Sequence, residues 1–204
     1  MAKIRLTKNE LKQQKDNLKR FVRYLPTLEL KKKQLLMEIR ALQHRMDELE
    51  ADRKRAETEL ARWVAVFADK ADLESLIRVS EVVIDQGNVA GIDIPVFKEI
   101  RFEETEPDFL TTPLWVDSAV EVTQTQIKNR VQRELIRRQQ EILQEELRTT
   151  IQRIKLFEEV KIPEARENIR VIQIFLGDQQ TAEVVRGKIA KNKIERKKAE
   201  AANP

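Results

Sequence analysis

His44 is the only histidine in the chain, and with no cysteine anywhere the residues that most often carry catalysis are nearly absent. A catalytic histidine needs an oriented partner in a pocket. His44 stands instead among polar residues of a helical face and reads as a solvated side chain. Adjacent carboxylates such as Glu145 and Glu146 could do acid–base work only across a cleft, and on a helix face they read as solvated charges. A metal site with two His or Cys at i, i+4 spacing cannot be assembled. The sequence contains no G-x-x-x-x-G-K-[ST] and no G-x-G-x-x-G, so no familiar phosphate-cradling loop is present. No catalytic, cofactor-binding or metal-ligating residue is therefore expected, and the chain does not read as an enzyme on its own.

What remains with chemical character is charge. Residues 1–40 hold 12 Lys or Arg against 4 acids, residues 186–198 hold 7 against Glu195 alone, and residues 47–108 reverse the sign with 17 acids against 8 bases. Both termini are basic and the middle is acidic. The basic runs LKKKQ at 30–34 and KIAKNKIERKK at 188–198 could contact phosphates, yet aromatic side chains for base stacking are missing there. A solvated helix face is the first reading of them, and an acidic or carbonyl-lined protein partner the second.

The elements carrying these charges are long helices. Of 204 residues, 36% are charged and 5% aromatic, with four glycines and six prolines, which leaves little turn chemistry for a compact globule. Thr7-Lys8-Asn9-Glu10 has the form of a capping box, so a first helix is expected from Thr7 to about Lys70. Leu11, Leu18, Leu25, Ile39, Met46, Leu60 and Phe67 fall on one seven-residue lattice, whose polar members are Lys32 and Arg53. Phe21, Leu28, Leu35, Leu42, Leu49, Ala56 and Trp63 fall on a second, after Gln14. Alternating steps of three and four define a coiled-coil seam, and its phase runs straight through Pro26, so the helix is expected to kink there and continue.

The period changes after residue 70. Val79, Val82, Val83 and Ile84, then DQGNVAG at 85–91, then Ile92, Ile94, Val96 and Phe97 read as a β-hairpin, with Pro95 suited to an edge strand. Residues 99–118, with Pro107 and Pro113, read as mostly irregular. A second helix is expected from Asp117 or Ser118 to about Lys198. Its apolar positions Leu143, Leu147, Ile151, Ile154, Ile162, Ala165, Ile169, Ile172 and Leu176 step 4-4-3, interrupted at Glu158, with Pro163 a second candidate kink. That mean spacing is nearer an 11-residue than a 7-residue repeat.

The expected fold is mainly α: an antiparallel two-helix coiled coil, residues 1–70 and 118–204, with a hairpin-bearing insert, 71–117, at one end. Folding back would bring the basic termini together, making a tip of Lys8, Lys12, Lys188, Lys191 and Lys193. Matching the hairpin-proximal ends would set Leu35 near Phe157, give or take two turns. The hairpin, with few apolar residues, is expected to be dispensable for folding. MAKIRLTKNE lacks the apolar run of a signal peptide and no stretch approaches 18 apolar residues, which fits a soluble, cytoplasmic protein.

RYLPTLELKKKQLL, NVAGIDIPVF, VKIPEARENIRVIQIFL and VRGKIAKNK, in that order, resemble the D subunit of V-type and A-type rotary ATPases, and the resemblance spans nearly the whole chain. It implies a central-stalk rotor shaft without a cofactor, peripheral to a membrane-bound complex and neither inserted in the membrane nor bound to nucleic acid. The implied partners are the catalytic hexamer of subunits A and B around the helix tip, and the small F subunit and the ring-capping subunit (C/d type) at the base. Val89, Ile92, Ile94, Pro95 and Phe97 are the candidate base contacts. A prefoldin-like chaperone would call for apolar grasping surfaces where these lysines stand. A nucleic-acid-binding helical arm would explain the basic tip but not the acidic base.

Overall fold

The computed structural model describes residues 4–63, 77–103 and 115–201. Helix α1 spans Lys8–Trp63, strand β1 Val79–Val89, strand β2 Ile92–Phe102, helix α2 Val116–Lys155, a π-helical turn Leu156–Lys161, and helix α3 Ile162–Ala201. The chain is mainly α, as expected, and forms two compact units. A hairpin unit comprises Leu30–Thr150, and a terminal unit comprises Met1–Glu29 with Ile151–Pro204.

The start of α1 is written in its first four residues. Glu10 N–H donates to Thr7 Oγ1 at 3.3 Å, satisfying one of the donors a helix N-terminus leaves free. The helix continues through Pro26, as the unbroken lattice requires. Leu35 and Leu49 are buried, while Leu11, Leu18, Phe21, Leu25, Leu28, Ile39, Leu42, Met46, Ala56 and Leu60 are partly buried. Off the seam, Met37 is 71% exposed. Phe67 and the Trp63 side chain, assigned to the same seam, lie outside the described residues, as do Pro107 and Pro113.

In the hairpin unit, β1 and β2 pair antiparallel with Val89 opposite Ile92, so the turn is only Ala90-Gly91. Both turn residues have positive φ, 52° and 81°, which gives a primed turn matching the twist of the strands. The segment 85–91 is thus largely strand, and its asparagine serves the turn from outside. Asn88 Oδ1 accepts from Gly91 N–H at 3.1 Å and Asn88 Nδ2 donates to Asp93 Oδ1 at 2.7 Å. Residues 99–102, expected to be irregular, extend β2. Gly91→Val places a β-branched residue in the left-handed region; it should destabilise the hairpin by about 1–2 kcal/mol, read as a lower melting temperature.

The hairpin is not an appendage. Ile94, 5% exposed, joins Leu35 and Leu143, both fully buried, in one core cluster, with Ile39, Leu42, Val89, Ile92 and Leu147 packed against it. The buried Gln139 amide donates to the Pro95 carbonyl. The expectation that the insert is dispensable for folding is therefore corrected: removing it uncovers Leu35 and Leu143.

The same cluster corrects the register. Leu35 shares its core with Leu143, about four turns nearer the start of α2 than the expected Phe157, or roughly 20 Å at 1.5 Å per residue. Lys31–Glu146 at 2.7 Å, Gln43–Gln140 at 3.3 Å and Glu50–Arg133 at 2.7 Å fix the antiparallel pairing through the unit. The expected alignment left the first turns of α2 unpaired, whereas Leu60 and Ala56 line a cleft together with Ala119 and Val122. In the terminal unit Phe157 meets Phe21, ring centroids 5.1 Å apart.

The second helix is not an uninterrupted α-helix bent at Pro163. Six residues before that proline form a π turn, with Ile162 N–H donating to the Phe157 carbonyl five residues back. This explains the irregular spacing around Glu158. Thr150, Ile154 and Phe157 belong to one seam, and Ile162, Ala165, Ile169 and Ile172 to another that would have placed Glu158, not Phe157, inward. The π turn takes up the extra residue, so the longer mean repeat reflects one insertion rather than a different supercoil.

Candidate functional site: an exposed basic helix end and a docked hairpin

A cleft of about 600 Å³ in the hairpin unit is lined by Ala56, Leu60, Trp115, Ala119 and Val122, with Glu59 and Glu121 its only charged residues among those described. Among the described residues its lining offers these two carboxylates and no histidine, cysteine or lysine. His44, 78% exposed at its side chain, lies 3.3 Å from Glu48 on the same helix. Glu146, read as a solvated charge, is instead half-buried and paired to Lys31. Among the described residues no group of three or more His, Cys, Asp or Glu is placed to hold a metal ion.

The charged chemistry that is organised is structural. Arg53, a seam position in α1, reaches Glu50 at 2.6 Å and also pairs with Glu57, while Arg133 of α2 reaches Glu50 at 2.7 Å. A seam arginine is tolerated because its guanidinium turns to this carboxylate at the rim while its stem packs inward. The Arg53 guanidinium, aided by Arg133, holds the Glu50 carboxyl below its ordinary value and raises Arg53 in return. A carboxylate depressed in the folded state contributes stability that is present above its unfolded pKa and lost as pH falls through the folded value. Acid titration should therefore lower the melting temperature of the native chain more than that of Glu50→Gln below about pH 4.3, the ordinary glutamate value.

The lysines assigned to a common tip are exposed but not brought together. Lys8 and Lys12 occupy the first turns of α1. Gln14 and Asn168 line one cleft, which places the start of α1 near residue 170 of α3. Lys188, Lys191 and Lys193 therefore lie roughly 30 Å further along α3, taking 1.5 Å per residue. The reason is length: α3 runs to Ala201, well past the point where α1 can pair with it. From Gln173 to Lys198 every residue except Leu176 is exposed.

This overhang carries a feature that the sequence reading missed. Val171, Ile174, Phe175, Val185 and Ile189 recur at helical spacing on one face and are all exposed, Val185 at 49% and Ile189 at 61%. The signal was present as a second apolar row: the stripe lies on the side of α3 away from the seam, with Val171 exposed next to the buried Ile172.

At the hairpin the candidate contacts divide. Ile94 is buried within its own unit, and Val89 and Ile92 pack on the same cluster, so these three are committed to the fold. Phe97 lines a groove with Ile100, Phe102, Gln124 and Lys128, and the Pro95 carbonyl is occupied by Gln139. The large apolar side chains of the strands left exposed are Val79, 41%, Ile84, 50%, and Val96, 37%.

A family model described as the ATP synthase D subunit matches residues 10–192. The chain is 46% identical over 197 residues to the V-type ATP synthase D subunit of Borreliella burgdorferi, covering 97% of this chain and 98% of that protein. It is 34% identical over 205 residues to the protein of that name from Chlamydia caviae, with 98% of each covered. For the Chlamydia pneumoniae protein the figures are 30% over 201 residues, with 97% and 96% covered.

Proposed function

The chain belongs to the ATP synthase D-subunit family, and from that membership we propose that it is the central rotor shaft of a V/A-type rotary ATPase. It passes torque between the catalytic hexamer of subunits A and B and the ion-translocating membrane ring. It is a stalk subunit and not a catalytic one, so ATP is made or hydrolysed elsewhere.

The observation that carries this reading is the overhang of α3. A helix exposed on every side, with an apolar stripe beside lysines, suits insertion into a cavity whose lining supplies the missing apolar partner. Lys188, Lys191 and Lys193, with Lys8 and Lys12 lower down, would meet an acidic or carbonyl-lined wall, which attracts without demanding one fixed orientation. The outward face of the hairpin, Ile84 and Val96, and the groove at Phe97 would serve the small F subunit and the ring-capping subunit. No helix among the described residues is long and apolar enough to cross a membrane, in keeping with a peripheral place in a membrane-bound complex.

Size-exclusion chromatography of the full chain mixed with the A/B hexamer tests the reading. One chain per hexamer should co-elute, with affinity falling as salt rises. No complex at micromolar concentrations, or stoichiometric Mg-ATP binding by the isolated chain, would overturn it.

A further inference from the structure

Two backbone irregularities in the terminal unit face one another. On one side is the π turn Leu156–Lys161, with Pro163 two residues beyond its end. On the other is Pro26 inside α1, which cannot donate to the carbonyl of Val22, one residue from Phe21. Phe21 and Phe157 are in ring contact, so both breaks in the hydrogen-bond ladder fall at one level.

Packing is weak at that level. None of the six residues of the π turn is buried, and Leu156 and Val160 are 44% and 48% exposed. An adjacent cleft of about 180 Å³ is lined by Gln14, Asn17, Phe21, Lys161 and Glu164. The buried positions of α3, Ile162, Ala165 and Ile172, begin only after the turn. Seam phase alone does not call for this arrangement: without one residue of the turn, Ile154, Phe157 and the positions that follow would sit on a single three-four lattice. The extra residue gives up a regular ladder and gains no buried side chain.

We propose that this level is a built-in flexure. Opposed defects in two paired helices, pivoting on the Phe21–Phe157 contact, let the helix segments on either side twist and bend while their own packing stays intact. A π turn widens the helix and loosens its ladder, and proline removes a bond outright, so deformation concentrates where neither helix can share strain with an intact neighbour. The property belongs to the chain alone and does not depend on the rotor reading.

The absence of native cysteine allows the test on the full-length chain. Cysteines replacing Arg153 and Gln173, both exposed, would carry spin labels about 30 Å apart along the helix. Removing Glu158 together with Pro26→Ala and Pro163→Ala should restore an unbroken ladder. The distance distribution should then narrow about two-fold and amide exchange at 157–162 slow at least ~10-fold. Unchanged width and exchange would overturn the proposal. So would a variant that melts lower, because the extra residue would then serve packing. In the unaltered chain, amides 157–162 should exchange at least ~10-fold faster than amides 166–172. Uniform protection across that boundary would sink the idea even if the variant failed to fold.

Discussion

Leu35→Asp should abolish cooperative folding of the hairpin unit. The side chain is fully buried beside Ile94 and Leu143, so its truncation alone removes about 2–5 kcal/mol. A carboxylate placed there has no cationic partner among the cluster's members, and desolvating it costs several kcal/mol more. Together these approach the roughly 5–15 kcal/mol that holds a typical domain folded. Lys12→Glu and Lys191→Glu are the controls. Both positions are exposed, and the Lys191–Glu195 ion pair at 3.8 Å is worth about a few tenths of a kcal/mol at that exposure. Circular dichroism melts should separate the first variant from the other two by well over about 10 °C. Matching melting temperatures for all three would refute the assignment of Leu35 to a core.

The opposite pattern is expected on the overhang. Val185→Asp combined with Ile189→Asp should leave the melting temperature within about 2 °C, because both side chains already face solvent and only helix propensity is lost. Binding to the A/B hexamer should fall by at least about 100-fold. Each apolar anchor removed from an interface costs roughly 1–3 kcal/mol, and each carboxylate left inside adds desolvation. At about 1.4 kcal/mol per decade the pair exceeds two decades. Charge reversal at Lys188 and Lys193 should act differently, slowing association and flattening its salt dependence. Native affinity for the Asp pair would mean that the stripe does not meet the hexamer.

These two regions also divide what could be read from the sequence. A seven-residue lattice is a local signal, so the seam of α1 was legible to its polar members, and the Thr7 cap followed from four residues. The hairpin was visible in its β-branched runs. Its docking was not, because alternation marks a buried face without naming what covers it; here Ile94 found Leu35 and Leu143. Register failed for a related reason. Antiparallel helices can slide by whole turns without disturbing either lattice, and only long-range pairs such as Lys31–Glu146 select one alignment. The π turn left a trace, the misfit at Glu158, but one inserted residue and a change of supercoil give the same average spacing. The stripe went unseen because Val171, Ile174 and Phe175 interleave with the seam residues Ile169, Ile172 and Leu176, and only the burial of Ile172 beside an exposed Val171 shows that they form a separate row on the other side of α3.

The rotor assignment is tested most directly by watching the chain turn. With the A/B hexamer fixed to a surface and a bead attached through a single cysteine in the hairpin, at Ile84, ATP should drive stepwise rotation in one direction. Rotation should stop when the Val185/Ile189 stripe is replaced by aspartate. Steady hydrolysis with a stationary bead on a demonstrably bound chain would contradict the account.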